Sequence, residues 1–128
     1  MKLSNRSLLN SINVLTKLNQ LELPIKVAFI ILKNTKAVER ELTNYFEARE
    51  KLVKQYAVLN EGGQAVPDEY GNLQFKDECV GKWNSDINEL LDLEVSIDLQ
   101  TLSIDDLFRA DLSMTPTELS NIEFMIKD

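Results

Sequence analysis

The sequence predicts a mainly α protein with a minor β component: a long central helix packed by shorter antiparallel helices, a small β-hairpin and a C-terminal helix. Three observations carry this expectation. Residues 24–58 contain no internal Gly or Pro. Apolar residues recur at helical spacings of three and four in several stretches. Pro24 and Pro116 each stand where a helix would begin. Leu, Ile, Val and Phe supply 42 of the 128 residues, well above the disordered range, so the chain is expected to fold as one domain around one modest core.

The first helix is expected over residues 4–20. Ser4 suits the N-cap, and Leu3 and Leu8 have the spacing of a hydrophobic staple. Leu8, Ile12, Leu15 and Leu18 mark one face. Pro24 ends that helix and opens the next, which is expected to run to about Val58. Val38, Leu42, Tyr45, Arg49, Leu52 and Tyr56 form a heptad seam on it. A continuous helix of this span is about 50 Å long.

Gly62 and Gly63 close the run. Residues 64–75 read as a β-hairpin around a turn rich in Pro, Asp, Gly and Asn, with Pro67 limiting the first arm to an edge. A third helix follows, with Asp77 as the expected cap and Val80, Trp83, Ile87, Leu90 and Leu91 as its seam. Glu94 to Leu99 alternates with period two and reads as a half-buried strand. Ser103 to Phe108 reads as a capped helical turn. Thr115-Pro116-Thr117-Glu118 is a capping box, and Leu119, Ile122 and Met125 or Ile126 form the face of a last helix. The chain thus divides into a helical hairpin (4–58), a β-hairpin (64–75) and a helix–strand–helix segment (77–128).

The net charge of −7 is the sum of two unlike halves. Residues 1–60 carry ten basic and five acidic side chains; residues 61–128 carry four and sixteen. The expectation is that the halves fold together and partly neutralise; the sharper reading is an acidic face that meets a basic partner. The basic residues are interleaved with acids, which disfavours nucleic acid as a partner. The longest apolar run, Ile25 to Leu32, is too short to span a bilayer as a helix, so a membrane partner is not expected. With no continuous apolar leader segment, the expected location is the cytoplasm.

Little here points to catalysis. No His is present, which removes His-based triads and His metal sites. The single Cys79 forms no internal disulfide, and its acidic neighbours Asp77 and Glu78 oppose thiolate formation, so its role is read as structural. Glu89, Asp92 and Glu94, or Asp105, Asp106 and Asp111, could ligate a hard cation, but the calcium-loop pattern is absent. None of the four glycines forms a phosphate-binding pattern. Trp83 is read as core. Arg49 is expected to pair with Asp86 or Glu89; otherwise it marks where the seam becomes exposed. The run from Ile25 to Leu32 is apolar on nearly every side, so either the C-terminal helix covers it or it is an interface.

Four pieces of the chain carry a resemblance: Leu18-Asn19-Gln20-Leu21-Glu22-Leu23-Pro24-Ile25-Lys26-Val27-Ala28, Glu47-Ala48-Arg49-Glu50-Lys51-Leu52, Glu89-Leu90-Leu91-Asp92-Leu93-Glu94-Val95 and Met114-Thr115-Pro116-Thr117-Glu118-Leu119. In order and spacing they resemble an uncharacterised family of small proteins encoded by phages and prophages of Gram-positive, low-GC bacteria. The resemblance implies shared origin and architecture and brings no catalytic residues. The functional expectation is a non-enzymatic phage accessory protein that binds another protein, most concretely a host factor such as an antiviral defence component. The alternative is a tail or head assembly protein that self-associates through the 25–56 helix. A small metal-dependent hydrolase ranks below both. No cofactor is expected. The partner surface is expected on the acidic half, at Glu69, Tyr70, Asp86, Glu89, Asp92, Glu94, Asp98, Asp105 and Asp106.

Overall fold

In the computed structural model, which describes residues 1–128, Ser4 caps the first helix by accepting the Ser7 backbone N–H at 3.1 Å. That helix, α1, spans Asn5–Leu18. Its buried residues are Leu8, Val14, Leu15 and Leu18 with Asn5 and Ser11; Ile12 is only half-buried. Pro24 sits one residue outside the second helix and accepts the Ala28 N–H at 2.9 Å. It serves as the flanking residue, since its carbonyl closes the first turn and its missing N–H leaves nothing unsatisfied. The second helix, α2, is continuous over Ile25–Tyr56. The fold is mainly α with this helix at its centre.

Two compact units divide the chain. The first comprises Met1–Leu42 with Glu94–Asp128. The second is Thr43–Leu93. Both draw on α2, and the seam residues Val38, Leu42, Tyr45 and Tyr56 are all buried.

In the first unit, α1 lies against α2: Asn19 Nδ2 donates to Thr35 Oγ1 at 2.8 Å. Three stretches of chain build the core. They are Leu8, Val14, Leu15 and Leu18 from α1; Val27, Ile30, Ile31 and Val38 from α2; and Ile97, Leu102, Leu107, Ile122 and Met125 from the last thirty-odd residues. Two short sheets fix the ends. Strand β1 (Lys2–Ser4) pairs antiparallel with β2 (Glu94–Ser96), with Leu3 opposite Val95. Strand β3 (Leu102–Ser103) pairs in parallel with β4 (Ile126–Lys127). Of these, sequence patterning indicates only β2; strands of two and three residues are too short to show alternation.

Helix α4 (Ile104–Arg109) is capped by Ser103, whose hydroxyl accepts the Asp106 N–H at 3.1 Å. Helix α5 (Pro116–Asn121) starts with both halves of the Thr115–Glu118 capping box. It is shorter than the expected 119–126. Ile122 leaves the helical region at φ −119°, a 3₁₀ turn over Glu123–Met125 follows, and β4 then pairs with β3. Ile122 and Met125 are both fully buried by this route.

In the second unit the hairpin is present, with an added member. Its arms pair at Pro67 and Leu73, and residues 57–59 insert beside both arms: Ala57 bridges Phe75, and Leu59 bridges Ala65. Val58 donates its N–H to Gln74 and accepts that of Val66, each at 2.8 Å. The turn is set by Asp68, whose Oδ1 accepts the N–H groups of Tyr70 and Asn72 at 2.9 Å, and by Gly71 at φ +81°. Asp77 is not the cap of the third helix. It begins a 3₁₀ turn over Asp77–Cys79, and α3 (Val80–Asp92) has no side-chain cap bond. Trp83 is half-buried and stacks on Phe75, with centroids 4.4 Å apart.

Arg49 does not pair with an acid of α3. Asp86 instead accepts the Tyr56 hydroxyl at 2.6 Å, and the Arg49 guanidinium lies 5.9 Å from the Trp83 ring centroid. The aromatic face gives a cation a partner without the desolvation that a buried ion pair demands.

Candidate functional site

The acidic residues expected to meet a partner fall in both units. Glu69, Tyr70, Asp86, Glu89 and Asp92 belong to the second; Glu94, Asp98, Asp105 and Asp106 belong to the first. Tyr70 is 80% exposed at the hairpin turn, and Glu69, Glu89, Asp92, Glu94, Asp98 and Asp105 are exposed. Asp86 and Asp106 are not, because each is engaged within its own unit. The Asp86 carboxylate accepts from Tyr56, which raises the Tyr56 pKa by that hydrogen bond first and by desolvation second.

Asp106 shows how the charge halves meet. Lys26 Nζ lies 3.1 Å from its Oδ2, and the hydrogen bond from Lys26, then that from Ser103, holds its carboxyl below the usual range. Lys17 makes the corresponding contact with Glu118 at 2.7 Å, and that bond is the chief cause of the lowered Glu118 pKa. Both pairs join the first forty residues to the last thirty-five. The first unit therefore holds nine basic and eleven acidic side chains, and the second five and ten. The +5 and −12 of the sequence halves become −2 and −5 in the folded units.

Asp98 lies in a cavity of about 440 Å³ whose other charged lining residues are Lys33, Lys36 and Arg40. Its charge is outnumbered there, so this part of the first unit presents a cationic surface. Nowhere do three or more Cys, Asp or Glu side chains gather into a group that could hold a metal ion.

The concave apolar surface of the first unit lies between α4 and α5. One cavity, of about 550 Å³, is lined by Ile104, Pro116, Leu119, Ser120, Ile126 and the acids Glu123 and Asp128. A second, of about 180 Å³, is lined by Ile104, Leu107, Phe108, Leu112, Met114 and Leu119. Ile104 and Leu119 line both.

Local sequence builds this surface. Ser103 and Thr115 fix the starts of the two helices. Between them Asp111 adopts φ +52°, a left-handed turn that Asp tolerates better than most residues, and Leu112 and Met114 follow it into the wall. Phe108 remains 75% exposed and Leu119 41% exposed. Sequence reading missed these residues, since apolar side chains in a short helix look alike whether they face a core or a groove. The one available signal was number: α4, α5 and their connection hold more large apolar side chains than two six-residue helices can bury.

Comparison with protein-family models, with curated proteins and with solved structures finds no match.

Proposed function

We propose that this chain acts without catalysis, by binding another protein through the groove between α4 and α5. The carrying observation is Phe108: a large aromatic side chain, 75% exposed, on the wall of an apolar cavity. Aromatic side chains, Phe among them, are enriched at the cores of protein interfaces. The occupant is a basic amphipathic segment of the partner. Its apolar side chains enter beside Ile104 and Leu119, and its Lys or Arg residues meet Glu123 and Asp128. The resemblance to phage and prophage proteins supports a host protein as the partner, with an antiviral defence component as the concrete case.

A second reading is virion assembly. The exposed residues of α2 favour it, because they offer a self-association surface apart from the groove.

The test is cross-linked affinity capture from host cells, followed by titration of the purified captured protein. Phe108→Ser should weaken its binding at least about thirtyfold, and Glu123→Lys with Asp128→Lys should weaken it further. The cross-linked segment should be basic and amphipathic. Affinity unchanged by the groove variants would refute the proposal. Capture of phage structural proteins through the groove would select assembly.

A further inference from the structure

On its first turns α2 faces the core with Val27, Ile30 and Ile31 and leaves Ile25, Phe29 and Leu32 exposed on the other side. The C-terminal segment reaches the core side, where the buried Asn34 donates to Met125 Sδ at 3.5 Å. The expected cover of the Ile25–Leu32 run therefore exists on one face only. Between these two faces, at about 100° per residue, runs a flank that carries Lys33, Ala37 and Arg40, with Lys36 beside it.

This flank is one wall of a cavity of about 440 Å³, and Asp98, Leu99 and Gln100 form the other. Asn34 joins the walls through its two hydrogen bonds to the Gln100 backbone, at 2.8 and 2.9 Å, so the cavity is formed before any ligand arrives. Ala37 contributes only a methyl group to the lining, which keeps the space open.

The charges of the cavity have no counterpart inside the chain. Lys33, Lys36 and Arg40 make no internal ion pair, and neither does Asp98. Lys33 has only the Phe29 ring, with Nζ 5.8 Å from its centroid. Lys33 with Lys36 and Lys36 with Arg40 are like-charge pairs three and four residues apart, and each such pair destabilises a helix. Farther along, the same helix uses that spacing for opposite charges, Glu47 before Lys51 and Glu50 before Lys54. Glu39 lies on the other flank of α2, with Thr16 and Asn19. Three cations thus converge on one acid in a unit that is acidic as a whole.

We propose that this cavity binds the phosphate group of a small phosphorylated molecule. Three cations and one carboxylate leave the lining at +2, the charge that a phosphate dianion neutralises. Arg40 supplies a planar fork for two phosphate oxygens, and Lys33 and Lys36 supply point charges. Small organic ligands occupy cavities of about 300–1,000 Å³, so there is room for more than the phosphate. Asp98 and Gln100 stand ready to bond hydroxyl groups on the rest of the ligand. The cations are exposed, so the affinity is modest and salt-sensitive, with Kd on the order of 0.1–1 mM.

Isothermal titration calorimetry at about 0.05 M salt, with glucose 6-phosphate, inorganic phosphate and glucose as probes, tests this. Glucose 6-phosphate should bind at one site, and glucose should give no heat. Lys36→Gln and Arg40→Gln should each weaken binding about three- to tenfold, and Asp98→Asn should strengthen it about threefold. All three residues are exposed, so the fold tolerates these changes. Ala37→Leu keeps every charge, fills the cavity and should weaken binding about tenfold. Tighter binding of glucose 6-phosphate than of inorganic phosphate supports a phosphorylated ligand; equal affinity supports the same site with the free ion as its ligand. No heat from either phosphate probe up to about 10 mM overturns the proposal. So does binding that survives Ala37→Leu, or that Asp98→Asn fails to strengthen. Tighter binding of a phosphoserine peptide than of glucose 6-phosphate would overturn it in favour of a protein partner. Neither Phe108 nor Glu123 lines this cavity, so failure here is distinct from failure of the proposed function.

Discussion

Asn34 exchanges two hydrogen bonds with the backbone of Gln100: Nδ2 donates to the carbonyl at 2.8 Å, and Oδ1 accepts the N–H at 2.9 Å. The side chain acts as one rung of a sheet, and it is 1% exposed. It ties the first third of α2 to the link between β2 and β3, where no strand is available to satisfy Gln100.

Asn34→Leu keeps the volume and removes both bonds to Gln100. The expected cost is about 1–3 kcal/mol, about 0.5–1.5 for each bond lost, because Gln100 is exposed and water can take over its backbone groups. Asn34→Asp keeps the acceptor, loses the donor and buries a carboxyl. Its folded pKa should rise, so its stability should fall as pH climbs from about 4 to 7. Urea denaturation of both variants at several pH values checks this.

Tyr56 and Asp86 give an alkaline signature. The folded Tyr56 pKa is raised above the usual 10.0. The stability linked to it is therefore complete below the unfolded value and is lost as pH rises through the folded one. Tyr56→Phe should lower stability at pH 7 and flatten the loss above about pH 10. Ultraviolet titration of the tyrosinate should show one phenol titrating above the ordinary 10.0, and Tyr56→Phe should remove that late step.

Lys26–Asp106 and Lys17–Glu118 give an acid signature. Both carboxyls are held below their ordinary values. Their contribution is present above the unfolded pKa near about 4 and is lost as pH falls through the lowered folded values. Lys26→Met and Lys17→Met should each flatten the acid limb of a denaturation-midpoint profile. Salt at about 0.5 M should do so partly, because both lysines are largely exposed.

Two glycines should respond in opposite directions to alanine. Gly71 lies at φ +81° with open space around the position of a Cβ, so Gly71→Ala suffers only backbone strain, about 1 kcal/mol. Gly81 lies in the first turn of α3 with equally open space and no positive φ. Gly81→Ala should stabilise by about 0.5 kcal/mol through lost unfolded-state entropy. Thermal melts of the two variants compare them directly.

The sequence by itself determined the elements whose causes are local. Ser4, Ser103 and Thr115 start helices because each hydroxyl accepts an N–H three residues on, and Glu118 accepts the Thr115 N–H in return; such contacts need no distant partner. The α2 seam from Val38 to Tyr56 and the Asp68–Gly71 turn were legible for the same reason. Tertiary structure alone decided what long-range pairing creates. Leu3 meets Val95, Leu102 meets Ile126, and residues 57–59 join the hairpin, through strands too short to carry a pattern. It also decided which acids stay free. Asp86 and Asp106 look like Glu89 and Asp105 in sequence, yet a tyrosine and a lysine from distant positions engage them. The groove at Phe108 and the bare face at Phe29 belong to the same class. Exposure is a property of what the rest of the chain fails to cover, and no local spacing encodes it.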